Sequence, residues 1–179
     1  LLKENGQSSL KINKKKFIYL ISPNNIYPKF YKDLKEVLNT GKVSFFQLRL
    51  KKYSLKSKIL IGRKISLFCK RYHVKLLIND DPYLTKKLNA DGCHLGQKDK
   101  SISEARKIIG NKIIGITCHN SIRIAKAAIR EKASYIAFGA FYSTNTKNVK
   151  YKATIKILNR AKKLTKTPIV AIGGINNNN

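Results

Sequence analysis

The chain has no methionine and no tryptophan, only three cysteines and four prolines, and nine acidic residues against 38 basic ones in 179. Each shortage excludes something. Cys69, Cys93 and Cys118 are odd in number and form no C-x-x-C pair, which argues against a disulfide framework and a zinc motif, so they read as reduced thiols. No apolar run approaches the roughly 18 residues a membrane span needs. The opening "LLKENGQSSL" lacks the charged start and long apolar middle of a signal peptide, so a cytoplasmic location is expected. Without methionine the first residue does not read as a translational start, nor does the closing "NNNN" read as a finished terminus, and the chain is expected to be incomplete. Its length and 42% hydrophobic content fit one domain with one sizeable core.

The scarcity of acids gives a formal charge of +29, which invites a nucleic-acid partner because dense positive charge attracts polyphosphates of any sequence. The lysines are spread along the whole chain, however, with only local runs such as "KINKKK" and "KKYSLKSK". A basic nucleic-acid-binding module is therefore the alternative of a different class, not the main expectation. Homo-oligomer formation cannot be read from the sequence.

Short apolar, β-branched or aromatic runs at 16–21, 43–49, 74–79, 91–95, 112–117, 134–139 and 168–173 read as strands, and the amphipathic stretches 28–39, 54–72, 82–88, 101–109, 120–132 and 153–165 read as helices. In "SISEARKIIG", Ser101 offers an N-cap, Glu104 completes a capping box and Gly110 marks the stop. Such alternation implies a parallel sheet covered by helices. Seven strands point to an α/β fold of the TIM (β/α)8 barrel type with the eighth βα unit missing from this chain: a basic, polar tail over residues 1–15, then a C-terminally incomplete barrel domain over 16–179.

Polar residues gather at the C-terminal ends of all these strands but the first, where (β/α) barrels carry their active sites. In "FFQLRLK", Gln47, Arg49 and Lys51 are spaced by two and so share one face of an extended strand, a cationic face suited to a pyrophosphate. Four of the nine acids fall within residues 76–99. Asp80 follows the third strand and Asp99 the fourth, so the two carboxylates are expected to meet at the mouth, where such a pair suits Mg²⁺. Asn79 is placed to hydrogen-bond a ring. Asp81 before Pro82 reads as a helix N-cap and Asp91 as part of a turn. Cys93 and His94, like Cys118 and His119, are adjacent on a strand and point to opposite faces, so neither pair makes an activated thiol, and His73 reads as a surface or packing residue. The loop "STNTK" offers Thr144, Thr146 and Lys147 as an oxyanion cradle, and Gly173-Gly174 permits close backbone approach.

Taken in order, "FFQLRLK", "LINDD", "ADGCHLGQKD", "IIGITCHN", "STNTK" and "PIVAIGGI" resemble the thiamine phosphate synthase family over nearly the whole chain from Phe17. The resemblance implies a (β/α) barrel transferase that uses Mg²⁺ and two small phosphorylated substrates, joining a pyrimidinylmethyl diphosphate to a thiazole phosphate and releasing pyrophosphate. By this resemblance Gln47, Arg49, Lys51, Asn79, Thr117 and Lys147 would hold the pyrimidine and its diphosphate, with Arg49, Lys51 and Lys147 catalytic. Asp80 and Asp99 would hold Mg²⁺, and Thr144, Asn145, Thr146 and Gly174 would face the thiazole phosphate. Leu50, Ser143 and Thr117 depart from the family pattern, which usually has an acid, a proline and a serine there. A related thiazole tautomerase, with His119 as its acid-base group, is the alternative enzyme reading.

Overall fold

The computed structural model describes residues 17–143 and 151–179. Seven strands, β1 (Ile18–Ile21), β2 (Val43–Leu48), β3 (Lys75–Asn79), β4 (Gly92–Leu95), β5 (Ile113–His119), β6 (Tyr135–Phe138) and β7 (Ile169–Ala171), alternate with six helices. These are α1 (Phe30–Asn39), α2 (Leu55–Arg71), α3 (Pro82–Lys87), α4 (Ile102–Ile109), α5 (Ile122–Arg130) and α6 (Ile155–Leu164). Every strand pairs in parallel with its sequence neighbour, in the order β1 to β7. The sheet therefore curls into a nearly closed, TIM-like barrel of seven units, as the alternation of elements predicts. The elements coincide with the expected ones to within a few residues.

Because strands in an all-parallel sheet are covered on both faces, their alternation sorts two cores, not a core and a wet side. Phe45, Leu77, Ile113, Tyr135 and Ala137 point inward and pack with Tyr19, Val170 and Ile172. The intervening residues point outward: Phe46, Leu48, Leu76 and Ile78 under α1 to α3, and Cys93, Leu95, Ile114, Ile116, Cys118 and Phe138 under α4 to α6. All three cysteines are buried and unbridged, and burial pushes each thiol up to about 12. They are packing groups.

The helices begin where the sequence supplies oxygen acceptors. Ser54, Asp81, Ser101 and Ser121 each accept from a backbone N–H three residues on, starting α2, α3, α4 and α5. The predicted N-cap role of Asp81 is thus observed. Asp91 is also structural, bonding the Leu76 N–H and the Lys75 ammonium at the far end of the barrel. At α4 the expected capping box forms: Glu104 accepts from the N–H and hydroxyl of Ser101, and Gly110 ends the helix with φ of 59°. Ser101→Ala is expected to cost about 1 kcal/mol, roughly 2–4 °C in Tm. The Ser101 backbone and side-chain bonds hold the Glu104 carboxyl below its usual range. Its contribution is therefore complete above the unfolded-state value and lost as pH falls through the folded one. Melts of wild type and Glu104→Gln should differ at neutral pH and converge at strongly acid pH.

Candidate active site

Each side chain at the barrel mouth is aimed by the strand that carries it. Leu48 and Leu50 are buried in the outer layer, which turns Gln47 and Arg49 the other way. β2 ends at Leu48, and Lys51 lies in the turn beyond it and lines a cavity together with Leu48 and Leu50, so the alternation that was expected to put all three on one face stops short of Lys51. Arg49 is pinned at both levels: its N–H donates to Ser22 Oγ at 2.8 Å, and its guanidinium donates to Asn24 Oδ1. Gln47 is 3% exposed, and its Nε2 is the one buried side-chain nitrogen or oxygen without a hydrogen-bond partner among the described residues. Orphaned buried donors are rare, and each calls for an acceptor such as a water or a ligand.

The two acids meet as the strand order requires. The Asp80 N–H donates to the His94 carbonyl at 2.8 Å, which ties the end of β3 to β4. Asp99 Oδ2 accepts from the Gly96 N–H at 2.7 Å, folding the loop after β4 back toward the rim. Burial raises the Asp99 carboxyl above the usual aspartate range, and Asp80 adds to the rise both as a hydrogen-bond partner and as a like charge. The Gly96 N–H and the Lys51 ammonium oppose it. Lys51 Nζ lies 3.0 Å from Asp80 Oδ2, with both side chains partly exposed. Two carboxyls close enough for one to favour holding a proton against the other, with a cation beside them, are a donor set that fits a hard divalent ion completed by phosphate and water oxygens. Among the described residues no group of three or more His, Cys, Asp or Glu forms a site, and Mg²⁺ needs none when substrate oxygens complete its shell. A cavity of about 430 Å³ lies on the outer, helix-facing side of Asp80, with Leu48, Leu50, Ile78 and Leu84 among its walls beside Lys51 and Lys58, and Asp99 does not line it.

Inside the barrel runs a polar chain that the strand pattern did not disclose. The hydroxyls of Tyr19 and Tyr135 are 2.7 Å apart, Tyr135 Oη is 2.8 Å from His94 Nδ1, and His94 Nε2 is 2.8 Å from Thr117 Oγ1. Gln97 donates from Nε2 to the Thr117 carbonyl at 2.7 Å. Thr117 ends this inner chain, and His94, Tyr135, Tyr19, Gln97, Ser22 and Asn24 are partners that the sequence reading did not single out. One signal was available: Gly115 sits inside a strand, where a lone glycine marks close approach. A Cβ there would lie 1.8 Å from Tyr135 Cζ, so the glycine is what lets the β6 tyrosine cross β5 to reach the β4 histidine.

At the other side of the mouth, Gly173 and Gly174 adopt φ of 92° and 72°. The close approach is made by chain: a Cβ on Gly174 would meet the carbonyls of Ser143 and Tyr142 at 2.4 and 2.6 Å. His119, with φ of 52°, packs its ring 4.6 Å from that of Tyr151. Thr144, Asn145, Thr146 and Lys147 lie outside the described residues.

Comparison with known proteins agrees with this geometry. The family model described as thiamine monophosphate synthase matches residues 18–179. The chain is 63% identical over 166 residues to a thiamine-phosphate synthase of Pelagibacter ubique, covering 92% of this chain and 80% of the relative. It is 44% identical over 140 residues to the Nitrosomonas eutropha thiamine-phosphate synthase, covering 78% of this chain and 66% of that one. Among solved structures, thiamine phosphate pyrophosphorylase from Pyrococcus furiosus superposes with a TM-score of 0.80 at 27% identity, over 91% of this chain and 77% of the other.

Proposed function

This chain belongs to the thiamine monophosphate synthase family, and from that premise we propose that its mouth couples 4-amino-2-methyl-5-(diphosphooxymethyl)pyrimidine to 4-methyl-5-(2-phosphoethyl)thiazole. The products are thiamine phosphate and pyrophosphate, and the enzyme is a transferase. The observation that carries the assignment of residues is the meeting of Asp80 and Asp99 at one rim beside Lys51.

The bond that breaks joins the pyrimidine methylene to the diphosphate oxygen, and its electron pair leaves with pyrophosphate. The bond that forms takes the lone pair of the thiazole nitrogen. Arg49, Lys51 and Lys147 hold the phosphate oxygens, Arg49 as a fork and the lysines as point charges, and lower the energy of the departing anion. Gln47 offers its orphaned N–H to the pyrimidine diphosphate, and Asn79 and Thr117 position the ring and its phosphates. Thr144, Asn145, Thr146 and Gly174 are the residues we assign to binding the thiazole phosphate. Asp80 and Asp99 would hold Mg²⁺, which when bound neutralises charge on the leaving group. The apolar barrel wall keeps water from the electron-poor methylene. No protein nucleophile is required, in keeping with three buried cysteines.

No helix among the described residues is long and apolar enough to cross a membrane, and we place the reaction in the cytoplasm. The test is pyrophosphate release with both substrates. Release is expected to match thiamine phosphate formed, to need the thiazole, and to fall to background when EDTA removes Mg²⁺ and return when the ion is restored. Release of equal size in EDTA would remove the metal from the assignment, and no coupling with both substrates and Mg²⁺ would overturn the function.

A further inference from the structure

We propose that Tyr19, Tyr135 and His94 form a positioning chain that fixes the Thr117 hydroxyl as a hydrogen-bond donor toward the mouth, where it meets a phosphate oxygen of the diphosphate substrate. The identity of that acceptor rests on the function proposed above; the direction of the chain rests on the geometry alone. A neutral imidazole has one N–H and one lone pair, and here both nitrogens face hydroxyls, Nδ1 that of Tyr135 and Nε2 that of Thr117, each at 2.8 Å. One hydroxyl must donate and the other accept. The phenol is by far the stronger acid of the two, with an ordinary value of about 10, so its hydrogen goes to the imidazole lone pair. Burial raises Tyr135 and Tyr19 above that range, so both keep their hydrogens. Tyr135 then donates to Nδ1, Tyr19 donates to Tyr135, and Nε2–H donates to Thr117.

Thr117 has its hydroxyl hydrogen left over. Its Oγ1 is engaged by His94 Nε2 and its carbonyl by Gln97, so the side chain is held in place while the hydroxyl hydrogen remains free to find an acceptor. Thr117 lies two residues before the C-terminal end of β5, the same end of the barrel as the loops after β3 and β4 that carry Asp80 and Asp99, so its remaining hydrogen is available on that side. An anionic substrate oxygen is the acceptor such a donor suits, and the reverse polarity would turn Thr117 lone pairs toward a diphosphate and repel it. The inward chain is therefore positioning machinery, since none of Tyr19, Tyr135 or His94 needs to touch the diphosphate.

The decisive measurement on the full chain is ¹⁵N-histidine NMR, reading which nitrogen of His94 carries hydrogen in the ligand-free protein. Nε2–H is expected; hydrogen on Nδ1 overturns the proposal. Kinetics add a graded test. Tyr135→Phe keeps the ring over Gly115 but frees Nδ1, so both tautomers should appear and KM for the pyrimidine diphosphate should rise about tenfold, the size of one lost bond to a charged oxygen. Tyr19→Phe removes the Tyr135 partner but leaves Tyr135 able to donate to Nδ1, so the tautomer should hold and KM should rise clearly less than in Tyr135→Phe. Thr117→Val should match Tyr135→Phe, the double variant should be no worse than either, and Thr117→Ser should restore KM. Equal effects of Tyr19→Phe and Tyr135→Phe would mean mere packing and overturn the proposal. Should Tyr135→Phe not fold, the wild-type tautomer decides alone. If the wild type releases no pyrophosphate, the function falls, while the tautomer still reports on the chain.

Discussion

Asp80→Asn is expected to lower pyrophosphate release by about a thousandfold while leaving the fold intact. Asparagine is the right replacement because Asp80 has φ of 64°, a left-handed conformation that costs an alanine roughly 1–2 kcal/mol and that Asn and Asp tolerate through their short polar side chains. The Lys51–Asp80 ion pair is partly exposed on both sides, so neutralising its acid should cost no more than about 1 kcal/mol. A melt should therefore show Tm within a few degrees of wild type. The drop in rate should be steepest at low Mg²⁺, since one carboxylate must do the work of two. Asp99→Asn should behave alike, its side-chain oxygen still able to accept from Gly96, and the double variant should be little worse than either single one, because two ligands of one ion act as a unit. Independent, multiplying effects would mean that the carboxylates do not share an ion. An Asp80→Asn enzyme with unaltered Mg²⁺ dependence would remove Asp80 from the site.

That pair was legible in the sequence because it needs only strand order: residues just past β3 and β4 are neighbours whatever the register. Alternation is equally local, and it set Cys93 and His94 on opposite faces, which the structure resolves into the outer and inner layers, but it could not follow Lys51 into the turn beyond β2. The inner chain was not legible. Tyr135 and His94 are 41 residues apart, and Tyr19 and Tyr135 are 116 apart. Their meeting depends on register across three strands and on the missing side chain at Gly115. In "SYIAFG" a tyrosine between apolar residues looks like any other packed aromatic. The first strand was expected to deliver nothing to the mouth, yet Asn24 beyond its end holds the Arg49 guanidinium. A neutral Ser or Asn in a loop carries no signature until its partner is placed.

Gly92→Ala is expected to be severely damaging, because the added methyl group meets main chain. Gly92 opens β4 and pairs with Ile113 of β5. A Cβ on it would lie 2.0 Å from the Ile113 carbonyl oxygen and 2.6 Å from Ile113 Cβ. No rotamer change relieves a clash with main chain, so the two strands must part. Parting them weakens the ladder next to Asp91, whose carboxylate and backbone carbonyl link β3 to β5. We expect a cost above about 4 kcal/mol, which for a chain of this size lowers Tm by roughly 10 °C or more, or leaves the protein insoluble. Gly62→Ala is the control. There the added Cβ meets Leu88 Cδ1 at 2.4 Å, the tip of a flexible side chain that can swing away. Alanine also favours the interior of α2 by about 1 kcal/mol over glycine. Its melt should stay within a few degrees of wild type. If the two variants melt together, close strand approach at Gly92 is not what holds β4 to β5. If only Gly92→Ala collapses, the glycine is required for the close approach of the β4 and β5 main chains, on the strand whose other end leads to Asp99.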